Sequence, residues 1–98
     1  GLLDVSLPAE EIDRIEALLA GYRARGLDFH ALRTRQAGSR CFITLHVLVP
    51  GDWTVQRGHD QLELIEGEIR ALIPHAHVTT HLEPLGDPLS MQDQQLDR

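Results

Sequence analysis

The sequence predicts an α+β fold. It is an open sandwich in the order α-β-β-α-β, with two helices packed on one face of a three-stranded sheet. Three observations predict it. Residues 8–25, and the stretch from Thr54 through Ile73, set apolar side chains at helical spacing. Residues 27–35 and 41–49 flank the turn Gln36-Ala37-Gly38-Ser39 and read as a hairpin. His77 to Glu83 alternates with the period of two that marks a third strand.

Taken in order, residues 1–7 lead in. Pro8 suits the first helical position, and Glu10 and Glu11 stand near the positive end of the helix. Ile12, Ile15, Leu18, Leu19 and Tyr22 form its apolar stripe; Gly21 weakens the helix and Gly26 ends it near Arg25. In the hairpin, Gly38 is free to take the positive φ of the turn. The arm from Cys41 to Val49 is rich in β-branched and apolar residues, as strands prefer. Pro50-Gly51-Asp52 breaks it, and Asp52 or Thr54 can cap the second helix. That helix carries Val55, Leu62, Ile65, Ile69, Leu72 and Ile73 as its stripe, and Pro74 stops it. Pro84 closes the third strand. The chain thus divides into a folded domain, residues 1–84, and a flexible tail, residues 85–98, bearing Asp, Gln and Pro.

Ninety-eight residues make one small domain whose core is thin, so oligomerisation would add to it. There is no lysine; nine arginines meet fifteen acids for a net charge of −6. That balance argues against nucleic acid as a partner, since phosphate contacts need a positive face, and it is compatible with cation binding. A single cysteine, Cys41, allows no internal disulfide and fits a reducing compartment. No apolar run reaches the roughly 18 residues of a membrane helix. The N-terminus lacks the basic start of a signal peptide, and opening on Gly1 it reads as a piece of a longer chain.

Six histidines are many for this length. With the turn centred on Gly38, His30 faces His46 across the ladder and Thr34 faces Phe42. Directly opposed residues share a face with Cβ atoms about 5 Å apart, which suits two ligands of one ion or two stacked rings. Ile43, Leu45, Val47 and Val49 form the helix side of the second strand; Phe42, Thr44, His46 and Leu48 form the other. On the third strand, Val78 and Leu82 belong against the helices, which turns His77, Thr79, His81 and Glu83 to the side of His46. Imidazole nitrogen with carboxylate oxygen is a donor set for Zn²⁺ and its divalent neighbours. The same residues would equally make a polar, solvated sheet face. Phe42 and Leu48 should not stay in water, so this face is expected to meet a second copy.

Other candidates have plain readings. His59, in the first turn of the second helix, is a ligand or a satisfied helix-end histidine. His75 is a surface residue, Cys41 a half-buried apolar one, and Trp53 a cover for the sheet edge. Arg33, Arg35 and Arg40 cluster at the hairpin, either solvated or paired with acids across an interface. The sequence carries no P-loop, Gly-x-Ser-x-Gly, His-Glu-x-x-His or Cys-x-x-Cys, so an enzyme is not expected.

His-Ala-Leu-Arg-Thr-Arg-Gln-Ala-Gly-Ser-Arg at 30–40, Phe-Ile-Thr-Leu-His at 42–46 and Val-Thr-Thr-His-Leu-Glu-Pro at 78–84 resemble the cytoplasmic C-terminal domain of cation diffusion facilitator transporters. The resemblance spans residues 3–84 and takes in Leu7-Pro8-Ala9-Glu10-Glu11 and Pro50-Gly51-Asp52. It implies a metallochaperone-like (ferredoxin-like) fold that forms a homodimer. It further implies regulatory metal near the interface, on the cytoplasmic side of a membrane domain that exports divalent cations. Matched residue by residue, it implies His30, His46, His59, His81 and Glu83 as metal ligands, with Glu83 where some relatives have aspartate. The implied ion is Zn²⁺ or another divalent transition metal such as Cd²⁺, Co²⁺, Ni²⁺, Fe²⁺ or Mn²⁺. The competing expectation is a metal-free module that senses a small molecule or only dimerises.

Overall fold

A computed structural model describes residues 5–86. Its elements follow the expected order: helix α1 (Ala9–Arg23), strands β1 (Asp28–Ala37) and β2 (Arg40–Val49), helix α2 (Val55–Leu72) and strand β3 (Ala76–Pro84). The expected tail lies outside the described residues from 87 onward. Its first residue, Leu85, donates its N–H to the Val49 carbonyl at 2.8 Å.

β2 is the central strand, with β1 antiparallel on one side and β3 parallel on the other. A parallel neighbour needs a long crossover, and α2 supplies it. The alternation read from β2 holds. Ile43, Leu45, Val47 and Val49 are buried with Ile15, Leu19 and Tyr22 of α1 and Ile65 and Ile69 of α2 in one core. Cys41 joins that core; burial, and then the nearby Glu11 carboxylate, push its thiol pKa up. The lead-in adds to the outer edge of β1. Val5 and Gln36 exchange N–H···O bonds of 3.1 and 2.7 Å, and the Leu7 N–H donates to Thr34 Oγ1 at 3.2 Å.

The helix ends follow local chemistry. Pro8 sits at the N-cap rather than at the first helical position, and its carbonyl accepts from the Glu11 and Ile12 N–H groups at 3.0 and 3.1 Å. α1 stops two residues before the expected Arg25. Leu27 N–H then bonds the Tyr22 carbonyl at 3.3 Å and Gly26 N–H the Arg23 carbonyl at 3.0 Å, with Gly26 at φ 99°. This is a Schellman ending, which needs the left-handed residue that glycine supplies. Of the two possible caps of α2, Thr54 serves: its Oγ1 accepts from the Arg57 N–H at 3.0 Å.

The hairpin register corrects the expectation at one end and keeps it at the other. The turn is the two-residue loop Gly38-Ser39, because Ala37 pairs with Arg40. Thr34 therefore faces Ile43, not Phe42, and Phe42 faces Arg35. Between His30 and Arg33 the register shifts by one, and His30 does face His46. Ala31, at φ 58°, marks this bulge.

Across the sheet the face away from the helices is organised in rows. Arg35, Phe42 and His77 form one row: the Phe42 and His77 rings stack at 5.3 Å, and the Arg35 guanidinium lies 4.6 Å from the Phe42 ring centre. His30, His46 and His81 form another, with Asp28, Leu48 and Glu83 beyond it. Leu48 is only 7% exposed within a single protomer and Phe42 is half-buried, so at Leu48 the expected need for a second copy is already met internally.

Two predictions arise from this packing. Tyr22 is buried between the layers and donates to Glu68 Oε1 at 2.6 Å. Burial, and then that carboxylate, push its pKa from 10.0 up to about 12. A folded-state pKa above the unfolded one makes stability level below about pH 10, and stability is lost as pH rises from there towards about 12. Denaturant titrations across pH 8–12 should show that loss in wild type and lack it in Tyr22→Phe. Separately, Gly21 and Gly67 lie inside helices with open space where a Cβ would stand. Gly21→Ala and Gly67→Ala should each stabilise the domain by about 0.5–1 kcal/mol. Calorimetric melting should register each as a rise of about 2–8 °C.

Candidate metal centre

Three of the predicted residues converge on the open face. His30, on β1, is the one buried polar residue among the described residues, 8% exposed. His46 stands opposite it on β2, and Glu83 extends from β3 in the next row. His30 Nε2 lies 3.0 Å from His46 Nδ1, and Glu83 Oε2 lies 2.5 Å from the same nitrogen and 3.7 Å from His30 Nε2. The extra methylene of glutamate lets this carboxylate reach back one row to His46. The ligand atoms of these three residues all fall within 4.8 Å of one another.

The chemistry of this cluster favours a cation. His46 Nδ1 carries either one hydrogen or one lone pair. If it donates to the Glu83 carboxylate it has no lone pair left for His30, and if it accepts from His30 it has no hydrogen for Glu83. A metal ion at the common point resolves the conflict, because all three atoms then offer lone pairs to it. Ligand atoms about 2.0–2.1 Å from a tetrahedral Zn²⁺ stand about 3.3 Å apart. The observed separations of 2.5, 3.0 and 3.7 Å bracket that value. A tetrahedral ion held by these three residues would keep a fourth position open.

The other two predicted ligands are placed differently. His81 shares the face, as its alternation required, but its ring stacks on His46 at 5.0 Å and 17°. It stands beside the cluster without joining the three converging atoms. His59 sits on α2 and pairs with Glu63, its Nε2 2.6 Å from Oε1, both exposed. That i, i+4 spacing was visible in the sequence. The basic cluster also divides: Arg33 and Arg35 line an open hollow of about 310 Å³ with Phe42 and Thr44, one and two rows from the centre. What the sequence reading missed is the bulge at Ala31–Leu32, since neither residue carries a turn signature.

The fold belongs to one class of protein. The sequence model of the family described as "cation efflux protein, cytoplasmic domain" matches residues 7–85, and the chain belongs to that family. It is 55% identical over 93% of its length to an uncharacterised transporter of Synechocystis sp., and 33% identical over 86% to the cation-efflux pump FieF of Shewanella oneidensis. The chain spans 29% and 28% of those two proteins. Among solved structures it is similar to CzrB, described as a proposed zinc transporter, at 40% identity and a TM-score of 0.73, over 82% of this chain and 99% of that one. It is also similar to the metal-bound C-terminal domain of the CzcD transporter from Thermotoga maritima. There the identity is 30% and the TM-score 0.70, over 81% of this chain and 92% of that one. These likenesses confirm the metallochaperone-like fold and the relation to cation efflux. Among the described residues no helix is long and apolar enough to cross a membrane.

Proposed function

We propose that this chain is the regulatory, non-catalytic cytoplasmic domain of a divalent cation exporter, and that it senses zinc through His30, His46 and Glu83. The observation that carries the reading is the convergence of three ligand atoms within 4.8 Å, two of them making irreconcilable demands on His46 Nδ1. The metal-bound relative and the zinc-related one support it. His81, stacked on His46, and His59, on α2, remain candidates for the open position or for a further ion. Cobalt, cadmium, nickel, iron and manganese can occupy the same donor set, so selection among them rests on geometry and supply.

The domain works as a homodimer in this proposal. Each protomer carries a formal charge of −6, so two copies repel when brought together. A bound divalent ion offsets part of that charge at Glu83. A ligand that prefers the closed pair shifts the population towards it by its differential affinity. Closure is passed to the membrane domain of the whole protein, and export rises with cytoplasmic metal. The test is the distance between spin labels on an introduced thiol at exposed Asp13 of α1; Cys41 is buried and should stay unlabelled. Zn²⁺ should shorten the distance between copies in wild type and not in His46→Ala. An unchanged wild-type distance, or sedimentation as a monomer at high micromolar concentration with Zn²⁺, would remove metal-driven closure.

A further inference from the structure

We propose that the Ala31–Leu32 bulge is the positioning element of the metal centre: it turns His30 to the open face, where the continuing ladder would have turned it to the helices. The inference rests on the metal-centre reading above. From the turn outward the ladder is regular: Ala37 faces Arg40, Gln36 faces Cys41, Arg35 faces Phe42, Thr34 faces Ile43 and Arg33 faces Thr44. Continued unbroken, it would set Leu32 against Leu45, Ala31 against His46 and His30 against Val47. Val47 is fully buried on the helix side. Because a one-residue slip moves every side chain to the other face, His30 would leave the side of His46 and Glu83.

The bulge prevents this. Ala31 and Leu32 together face the single residue Leu45, and beyond them His30 faces His46, Phe29 faces Val47 and Asp28 faces Leu48. One backbone residue thus decides whether the centre has two imidazoles or one. It also lets Phe29 enter the core, where it is buried. Ala31 holds this turn of the chain at φ 58°, in the left-handed region that an alanine side chain disfavours. Such an outlier persists only where its surroundings over-determine it. Here buried Phe29 pins one flank and the five-pair ladder to the turn pins the other.

The test measures how much His30 contributes to Zn²⁺ affinity in three backgrounds, by calorimetry of the pure domain. Deleting Ala31 leaves Leu32 alone against Leu45 and His30 still against His46, on a ladder with no bulge. There, His30→Ala should weaken Zn²⁺ binding by the same factor as in wild type, about 10-fold or more. Ala31→Val puts a β-branched side chain where the left-handed conformation is a true outlier. His30 is then withdrawn, and a further His30→Ala should change affinity by less than about twofold, the double-mutant signature of coupling. A purely structural bulge would lower the melting temperature of Ala31→Val and leave the His30 contribution intact; that result overturns the proposal. So does loss of the His30 contribution in the deletion variant, which decides alone should Ala31→Val fail to fold. If His30→Ala costs nothing in wild type, the metal-centre reading itself is wrong, and the positioning proposal falls with it.

Discussion

Zinc at about one hundred times its dissociation constant is expected to stabilise this domain by about 2.7 kcal/mol, and to raise its melting temperature by about 10–20 °C. The rise follows from mass action alone if the ion binds the folded chain and not the unfolded one. The folded chain brings together residues that the sequence keeps apart: His30 and His46 lie sixteen positions apart, and Glu83 lies on a different strand. His46→Ala should abolish the rise. His46 is the residue that both other proposed ligands touch, so its loss would leave His30 Nε2 and Glu83 Oε2 3.7 Å apart with nothing between them. Zn²⁺ affinity should fall about 100-fold or more, beyond what is usual for groups that only support a ligand. The metal-free stability should change little, because the His46 side chain is partly exposed and carries no core packing. Differential scanning calorimetry with and without Zn²⁺ measures both effects in one series.

The second large effect belongs to the core. Leu45 is fully buried in the middle of the central strand, directly across from the bulge. Leu45→Ala should cost about 2–5 kcal/mol through lost burial and the cavity left behind. A domain of this size has about 5–15 kcal/mol in all. The melting temperature should therefore drop by at least about 10 °C, and saturating Zn²⁺ should restore part of the loss if the open face still forms. A drop without restoration would mean that the centre depends on packing beneath it more than the geometry indicates. A drop of only a few degrees would mean that the layers close over the missing side chain.

Much of this architecture was legible in the sequence, and the reasons differ by element. The alternation of Ile43, Leu45, Val47 and Val49 against Phe42, Thr44, His46 and Leu48 fixed both faces of the central strand. A core layer on one side leaves no freedom in a period of two. Val78 and Leu82 oriented β3 in the same way, and with it His81 and Glu83. The opposition of His30 and His46 was also foreseen, but through two offsets that cancel. The turn is two residues, Gly38-Ser39, rather than one centred on Gly38, and the bulge restores the register further on. The bulge was not legible because Ala31 is neither glycine nor asparagine, so nothing in the residue type announces a positive φ.

Site membership was less legible than face membership. His81 and His46 share a face, yet their rings stack, and the choice between stacking and converging is made by rotamers that spacing does not encode. His59 looked like a ligand through family resemblance, while the i, i+4 acid that holds it, Glu63, stood in plain view. Glu83 differs from both. Its extra methylene, compared with aspartate, made its reach doubtful from the sequence, and the structure brings its oxygen to 2.5 Å from His46.

Anomalous X-ray diffraction at the zinc edge, from a zinc-soaked crystal, decides whether one ion sits among His30, His46 and Glu83. The expected peak lies about 2.0–2.2 Å from His30 Nε2, His46 Nδ1 and one Glu83 carboxylate oxygen. A peak at His59 and Glu63, with none between those three residues, would mean that the converging imidazoles and carboxylate hold no zinc.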